Sequence, residues 1–455
     1  MNSERAITAS DPWAPIVMFL LLGYLCMERP FSYLGIPPWS LFVGEVVLAW
    51  FVMFGPRLGT WRWLSVAAKL PRLKNFKRLL YLLLGYGAFQ IVHGIYAGYP
   101  PLTAIRDYAF DYYPIYFFLG LWVGLSRPQT LPRFFRIFAW VNGIYGTAYV
   151  LFLDRLTWTI PGVSPDITPV PVFGLPQYSC LALVGLLAFE KSLRRAWPLL
   201  VLNGFVMLGM EVRAEWLAFA VGLAVWAWRT GNFKRAAWGG AVVVLMLAIM
   251  FVSNFTLAGP ELRGGAPISA RDLIGRAVAP VNKGLAEDYT ASFQGDVDTA
   301  VFRTLWWAAI WQSVHKNATR AIWGYGYGYP LGDLVPYLKG RFVQTPHNAF
   351  FFALAYTGWV GVFIFFLFLT ELARLLLAVP DAQVRDFGIA AFASLLAYAM
   401  FTPFFETPYG AIPFYLVFGI AAASLLSRQH APATGQPGIV HKQKCEAGTA
   451  PAVAT

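Results

Sequence analysis

The sequence predicts an all-α polytopic membrane protein with about twelve transmembrane helices, and three observations predict it. Of its 455 residues 58% are hydrophobic and only 13% are charged, whereas a soluble domain carries roughly 25% charged residues. Apolar runs of about 20 residues, each long enough to cross a bilayer core, recur along the chain. The basic residues behind the net charge of +12 gather in short turns between those runs. That placement follows the positive-inside bias and argues against nucleic acid as a partner.

The first span is expected near 13–27; it lacks a basic leader and a small-x-small cleavage site, so it is read as an anchor. A second, near 38–55, ends before Arg57, Arg62, Lys69, Arg72, Lys74, Lys77 and Arg78, a cluster containing no acid. Spans near 79–97, 110–125, 137–153, 178–190, 197–210, 215–228 and 237–254 follow. Basic turns at Arg127, Arg133 and Arg136, at Lys191, Arg194 and Arg195, and at Arg229, Lys234 and Arg235 punctuate them. Three more spans are expected near 347–370, 386–402 and 409–426, which puts both termini in the cytoplasm. The chain thus divides into an N-terminal bundle of about nine spans (1–254), a large non-cytoplasmic loop (255–346), C-terminal spans (347–427) and a disordered tail (428–455). The first ten residues read as disordered too. Cys26, Cys180 and Cys445 are too scattered for a disulfide framework or a thiolate metal site. No repeat of fixed period stands out.

The long loop is where function is sought, because loops of this length are usually functional or disordered and this one is rich in aromatics. Its first half, "TLAGPELRGGAPISARDLIGRAVAPVNKG", reads as irregular or weakly helical. In "DTAVFRTLWWAAIWQSVHK" the period is helical: Val301, Leu305, Ala308, Ala309 and Val314 fall near one face, while Trp306, Trp307 and Trp311 suit an interfacial helix.

Within and after the loop several residues invite chemistry. "QTPHNAFFFALAYTGWVG" opens a span with His347 and Asn348. Pro346 and Asn348 fit helix initiation, and a histidine there is either a cap or a proton acceptor that needs little tuning. "WGYGYGYP" pairs glycines that permit close backbone approach with Tyr325 and Tyr327, which offer flat faces for sugar; an aromatic interfacial turn is the equal alternative. Arg106, Arg213 and Arg303 lie on the expected outer side against the positive-inside bias, and guanidinium forks suit phosphate oxygens. Asp107, Glu211 and Glu215 compete as plain ion-pair partners. Asp296 and Asp298 form a DxD that is too short a signal for a metal site without converging ligands.

Taken together, the arginine-bearing turn "EVRAEW", the loop helix, "GYGYG" and "PHNAFFFALAYTGWVG" resemble the O-antigen ligase and O-antigen polymerase superfamily, with the signature covering roughly Gly209 to Leu372. The resemblance implies a GT-C-like glycosyltransferase of the bacterial inner membrane, metal-independent and without cofactor, with its active site facing the periplasm. It implies an undecaprenyl-diphosphate-linked glycan as donor, and lipid A–core or a second lipid-linked glycan as acceptor. By motif, His347 becomes the general base beside Asn348. Arg213 and Arg303 become diphosphate-binding residues, Arg106 a weaker carry-over, and Tyr325, Tyr327 and Trp307 possible sugar contacts. Where the family often has a small hydroxyl residue before the arginine, this chain has Val212. The HN motif and single late loop lean the reading to the ligase branch of lipopolysaccharide biosynthesis, with an O-antigen or exopolysaccharide polymerase of the same superfamily as the alternative. A solute transporter is the alternative from another class. Against it stand few acids or broken helices within the spans, Glu45 and His93 being the main exceptions.

Overall fold

The structure, a computed structural model, describes residues 14–36, 41–54, 71–127, 129–156, 158–160, 170–257, 268–278, 294–338 and 345–427. The two termini expected to be disordered lie outside these residues. Helix dominates, and each of the twelve apolar stretches anticipated above overlaps a helix. The N-terminal bundle runs α1 (Ala14–Ser32), α2 (Val43–Phe54), α3 (Pro71–Tyr96), the short α4 (Pro101–Asp107) and α5 (Ala109–Tyr112), then α6 (Tyr116–Ser126) and α7 (Thr130–Leu151). It continues through α8 (Ser179–Phe189), α9 (Leu193–Gly209), α10 (Arg213–Thr230) and α11 (Phe233–Val252). A two-residue hairpin joins Gly35–Ile36 to Leu41–Phe42.

The long loop is structured where it is described. A second small hairpin pairs Thr256–Leu257 with Ile268–Ser269, and α12 (Ala270–Val278), α13 (Gln294–His315) and α14 (Ala318–Trp323) follow. The chain closes with α15 (Ala349–Leu377), α16 (Ala382–Ala399) and α17 (Pro408–Ala422). Four helices are long and apolar enough to cross a membrane: Ala14–Ser32, Leu73–Tyr96, Phe233–Val252 and Ala349–Leu377. Several helices start where the sequence supplies an amide or carboxylate cap. The Asp381 side chain accepts from the N–H groups of Gln383 and Val384, and Asn317 accepts from Thr319.

α17 is buried along its whole length and packs along α6. Backbones meet there because two glycines carry no Cβ. One added at Gly120 would stand 2.2 Å from the Leu416 carbonyl oxygen, and one at Gly419 2.0 Å from that of Phe117. Such close approach through small residues is how helices associate without a hydrophobic drive between them. α10 packs along α16. By contrast α11 turns Trp238, Val244 and Val252 outward, an apolar surface that suits lipid.

Basic turns meet acids at one end of the bundle, where Arg229 Nη2 lies 3.0 Å from Asp386 Oδ1 and Arg136 pairs with Glu190. The opposite end collects the starts of α8, α10, α15 and α17, the end of α16 and the long loop.

Two helices in that region are broken, which the sequence reading did not anticipate. Glu28 interrupts α1 and Gly358 interrupts α15, at φ 47° and 62°. The α15 break frees carbonyls that protein groups fill. Tyr325 N–H donates to Ala355 O (2.9 Å), Gly326 N–H to Tyr356 O (3.0 Å) and the Tyr86 hydroxyl to Thr357 O (2.6 Å). Irregular backbone inside an apolar bundle needs such partners. The "GYGYGY" segment is therefore wedged between α3 and α15. Gly324, Gly326 and Gly328 take φ of 76°, 80° and 93°, which only glycine adopts freely. Across the wedge, a Cβ at Gly94 would sit 1.8 Å from the Tyr327 carbonyl oxygen.

Candidate active site

α13 lies over the start of α15; of the expected face Val314 is buried, but the rest of the buried face differs. Trp306, Ile310 and Val314 are sealed, and Trp306 Nε1 donates to Leu331 O at 2.9 Å, whereas Leu305 is 54% exposed. Apolar residues are spread around the helix rather than gathered on one side, so spacing alone did not fix the face. Trp306 is a core residue, not an interfacial one.

Two polar groups of α13 brace the surroundings of His347. Trp307 Nε1 donates to Pro346 O at 2.7 Å, and its ring stacks on Phe351 with centroids 5.6 Å apart. One turn earlier, Arg303 Nη1 donates to Phe401 O at 3.0 Å. Asn348 completes the clasp. Its Oδ1 accepts from the N–H groups of Phe350 (2.9 Å) and Phe351 (3.1 Å), and its Nδ2 donates to Met400 O at 2.9 Å. Both ends of the Asn348 amide are thus committed to capping α15 and tying it to the end of α16. Asn348 thereby ties the segment after His347 to the end of α16.

Between these anchors stands His347, outside the helix and in the left-handed region at φ 54°. Backbone strain of this kind concentrates where surrounding contacts over-determine a conformation. Among the described residues none hydrogen-bonds its ring. Burial, and then the Arg303 guanidinium nearby, push its pKa down to about 4. The imidazole is accordingly neutral at pH 7 and has a lone pair to offer.

The other expected residues distribute unevenly. Arg213 is half-buried in the first turn of α10. Of its two acidic neighbours, Glu211, at φ 54°, lies 3.4 Å from Arg276 of α12, and Glu215 Oε1 accepts from Cys180 N–H at 3.1 Å. Arg276, itself buried, was missed by the sequence reading although the charge-bias argument that selected Arg213 applies to it equally. Arg106 is exposed on α4, and no described contact links it to His347.

Tyr327 is fully buried with its hydroxyl 2.5 Å from Asp111 Oδ2. Tyr325 lies with the Arg320 guanidinium 4.4 Å over its ring and Tyr329 stacked at 3.9 Å. The faces expected for sugar are therefore covered by protein, and of the three aromatics only Trp307 borders His347. The side chains of Asp296 and Asp298 lie outside the described residues. Among those described, no three His, Cys, Asp or Glu converge in a way that would hold a metal.

The cluster is chemically a neutral base beside a cation, at one end of an apolar helical bundle. Residues 198–366, somewhat over a third of the chain, match the family described as O-Antigen ligase. Over that stretch the chain is similar to the superfamily that its motifs resemble. The matched stretch contains Arg213, Arg276, Arg303, Trp307, His347 and Asn348 and leaves out Arg106. No curated protein matches the chain.

Proposed function

We propose that this chain is a multi-pass glycosyltransferase of the bacterial inner membrane, of about twelve spans and GT-C-like, that moves a saccharide from undecaprenyl diphosphate to a sugar hydroxyl on the periplasmic side. The O-antigen ligase reading, with lipid A–core as acceptor, is preferred. The observation that carries it is a neutral His347 held beside Arg303 of α13, inside the stretch that matches the ligase family.

In this reading the acceptor hydroxyl oxygen attacks the anomeric carbon while the bond from that carbon to the donor phosphate breaks. The electron pair leaves with undecaprenyl diphosphate, and the hydroxyl proton passes to His347. Displacement from the opposite side inverts the anomeric centre. General-base help of this kind is worth about 10² to 10⁴ in rate. Arg303 and Arg213 stabilise the charge that develops on the diphosphate, and such preorganised donors often supply the largest single contribution. A diphosphate seated against Arg303 also cancels that cation's effect on the ring, moving the proton affinity of His347 back toward the operating pH. With both substrates confined to one membrane face, less entropy is lost on bringing them together. Trp307 is the aromatic best placed to touch a sugar. The four-part division of the chain serves this arrangement: two sets of spans frame the site, and α13, from the loop between them, roofs it.

Deleting the gene and running the cell's lipopolysaccharide on a gel tests the assignment. Core without a ladder, with long polyprenyl-linked chains accumulating, supports ligation. A core bearing a single repeat unit points to polymerisation within the same superfamily. An unchanged ladder overturns both.

A further inference from the structure

The break in α1 leaves an ionisable group where none is expected. Glu28 is only 6% exposed, and among the described residues its carboxylate makes no hydrogen bond and no ion pair within 4 Å. A buried carboxylate without a hydrogen-bond partner is costly, and a non-glycine residue at φ 47° adds strain. Pro30, two residues on, cannot continue the helix and accounts for a break here, but not for a carboxylate placed in it.

Its surroundings are polar and come from five elements. Glu28 lies within electrostatic range of Glu215 in the first turn of α10, of Tyr178 before α8, of Tyr398 near the end of α16 and of Tyr409 at the start of α17. The neighbouring Arg29 is a cation close to it. The Tyr398 hydroxyl donates to Gln177 Oε1 at 2.5 Å, which fixes the Gln177 amide, and the Tyr178 hydroxyl donates to Tyr409 O at 2.6 Å.

The cluster borders the proposed site on two sides. Glu215 is two residues from Arg213 on α10. Tyr398 is three residues before Phe401, whose carbonyl Arg303 holds. Carboxylates, an amide and tyrosine rings are the groups that bind sugar hydroxyls and pyranose faces, because a carboxylate accepts from two adjacent hydroxyls at once.

We propose that Glu28, with Glu215, Gln177 and Tyr398, forms a saccharide-binding subsite that holds the acceptor glycan by its hydroxyl groups. It rests on the transfer reaction proposed above and adds to it the residues that select the acceptor. The Glu28 carboxylate is the acceptor-side anchor, and the bound hydroxyls replace the partners it lacks in the protein.

The full chain in lipid nanodiscs is titrated with two probes, core oligosaccharide released from O-chain-free lipopolysaccharide and the oligosaccharide of one O-chain repeat. Binding is followed calorimetrically. Wild type binds one of the two, which also says which saccharide is the acceptor. Glu28→Gln weakens that binding roughly tenfold, the loss expected for a charge-assisted hydrogen bond, and Tyr398→Phe weakens it by less. Arg303→Gln leaves saccharide binding intact while transfer from the lipid donor falls. If Glu28→Gln does not fold, Tyr398→Phe decides the matter. Unaltered saccharide binding by both variants, or no binding of either probe by wild type, overturns the subsite whatever the transfer assay gives. A wild type that binds saccharide but transfers nothing leaves the subsite standing and sinks only the reaction.

Discussion

Replacing Asn348 separates holding the active segment from touching substrate. Its three hydrogen bonds span 2.9 to 3.1 Å and join the first turn of α15 to the end of α16. Asn348→Ala removes the cap, at about 1 kcal/mol, and strips Met400 O of its donor, at about another 1 kcal/mol. The sum is about 2 kcal/mol, which for a chain of this size lowers the unfolding midpoint by a few degrees at most. Asn348→Ser keeps an oxygen for the cap and loses the reach to Met400, so it falls between the two. Transfer suffers more than stability, by roughly tenfold to a hundredfold in kcat, because the residue before it is His347 and small misplacements are expensive at a reacting centre. The assay is thermal unfolding in detergent beside reconstituted transfer, on all three proteins. If Asn348→Ala melts with wild type, the clasp contributes nothing. If Asn348→Ser recovers stability but stays as inactive as alanine, Asn348 contacts substrate directly and the positioning account is wrong.

Three further outcomes follow from the same contacts. His347 has a folded pKa below its ordinary 6.5, at about 4. It therefore stays neutral as pH falls through 6.5 and gains its proton only near 4, so the acid limb of kcat/KM lies below pH 6. Arg303→Gln removes one cause of the depression and moves that limb upward; a limb that stays put means Arg303 does not act on the ring. Trp307→Phe keeps the stacking on Phe351 but deletes the bond to Pro346 O, and should lower kcat roughly tenfold with little change in unfolding. Gly94→Ala drives a Cβ to 1.8 Å from the Tyr327 carbonyl oxygen. Backbone must shift there, so a loss of about 3 kcal/mol or failure to fold is expected, read as recovery of monodisperse protein.

Much of the helical layout was legible because apolar runs and caps are local signals. Asn348 reads as a cap from its position before an apolar run, and it is one. Span edges were less legible: α3 starts at Pro71, well before the expected 79, because "RLKNFKR" continues the helix and buries Leu73 and Phe76. Glu28 fell one residue past the expected end of the first span, so the break at it passed unread. The buried settings of Trp306, Tyr325 and Tyr327 were illegible for a related reason. Whether an aromatic ring faces sugar or core depends on partners such as Leu331 and Asp111, distant in sequence. The pairing of Glu211 with Arg276 spans the whole of α10 and α11. No local pattern announces it.

Single-turnover transfer from undecaprenyl-diphosphate-linked glycan by reconstituted His347→Ala, compared with wild type at neutral pH, tests the central claim most directly. The account predicts a fall of about 10² or more with the unfolding midpoint unchanged. Transfer at the wild-type rate would contradict it.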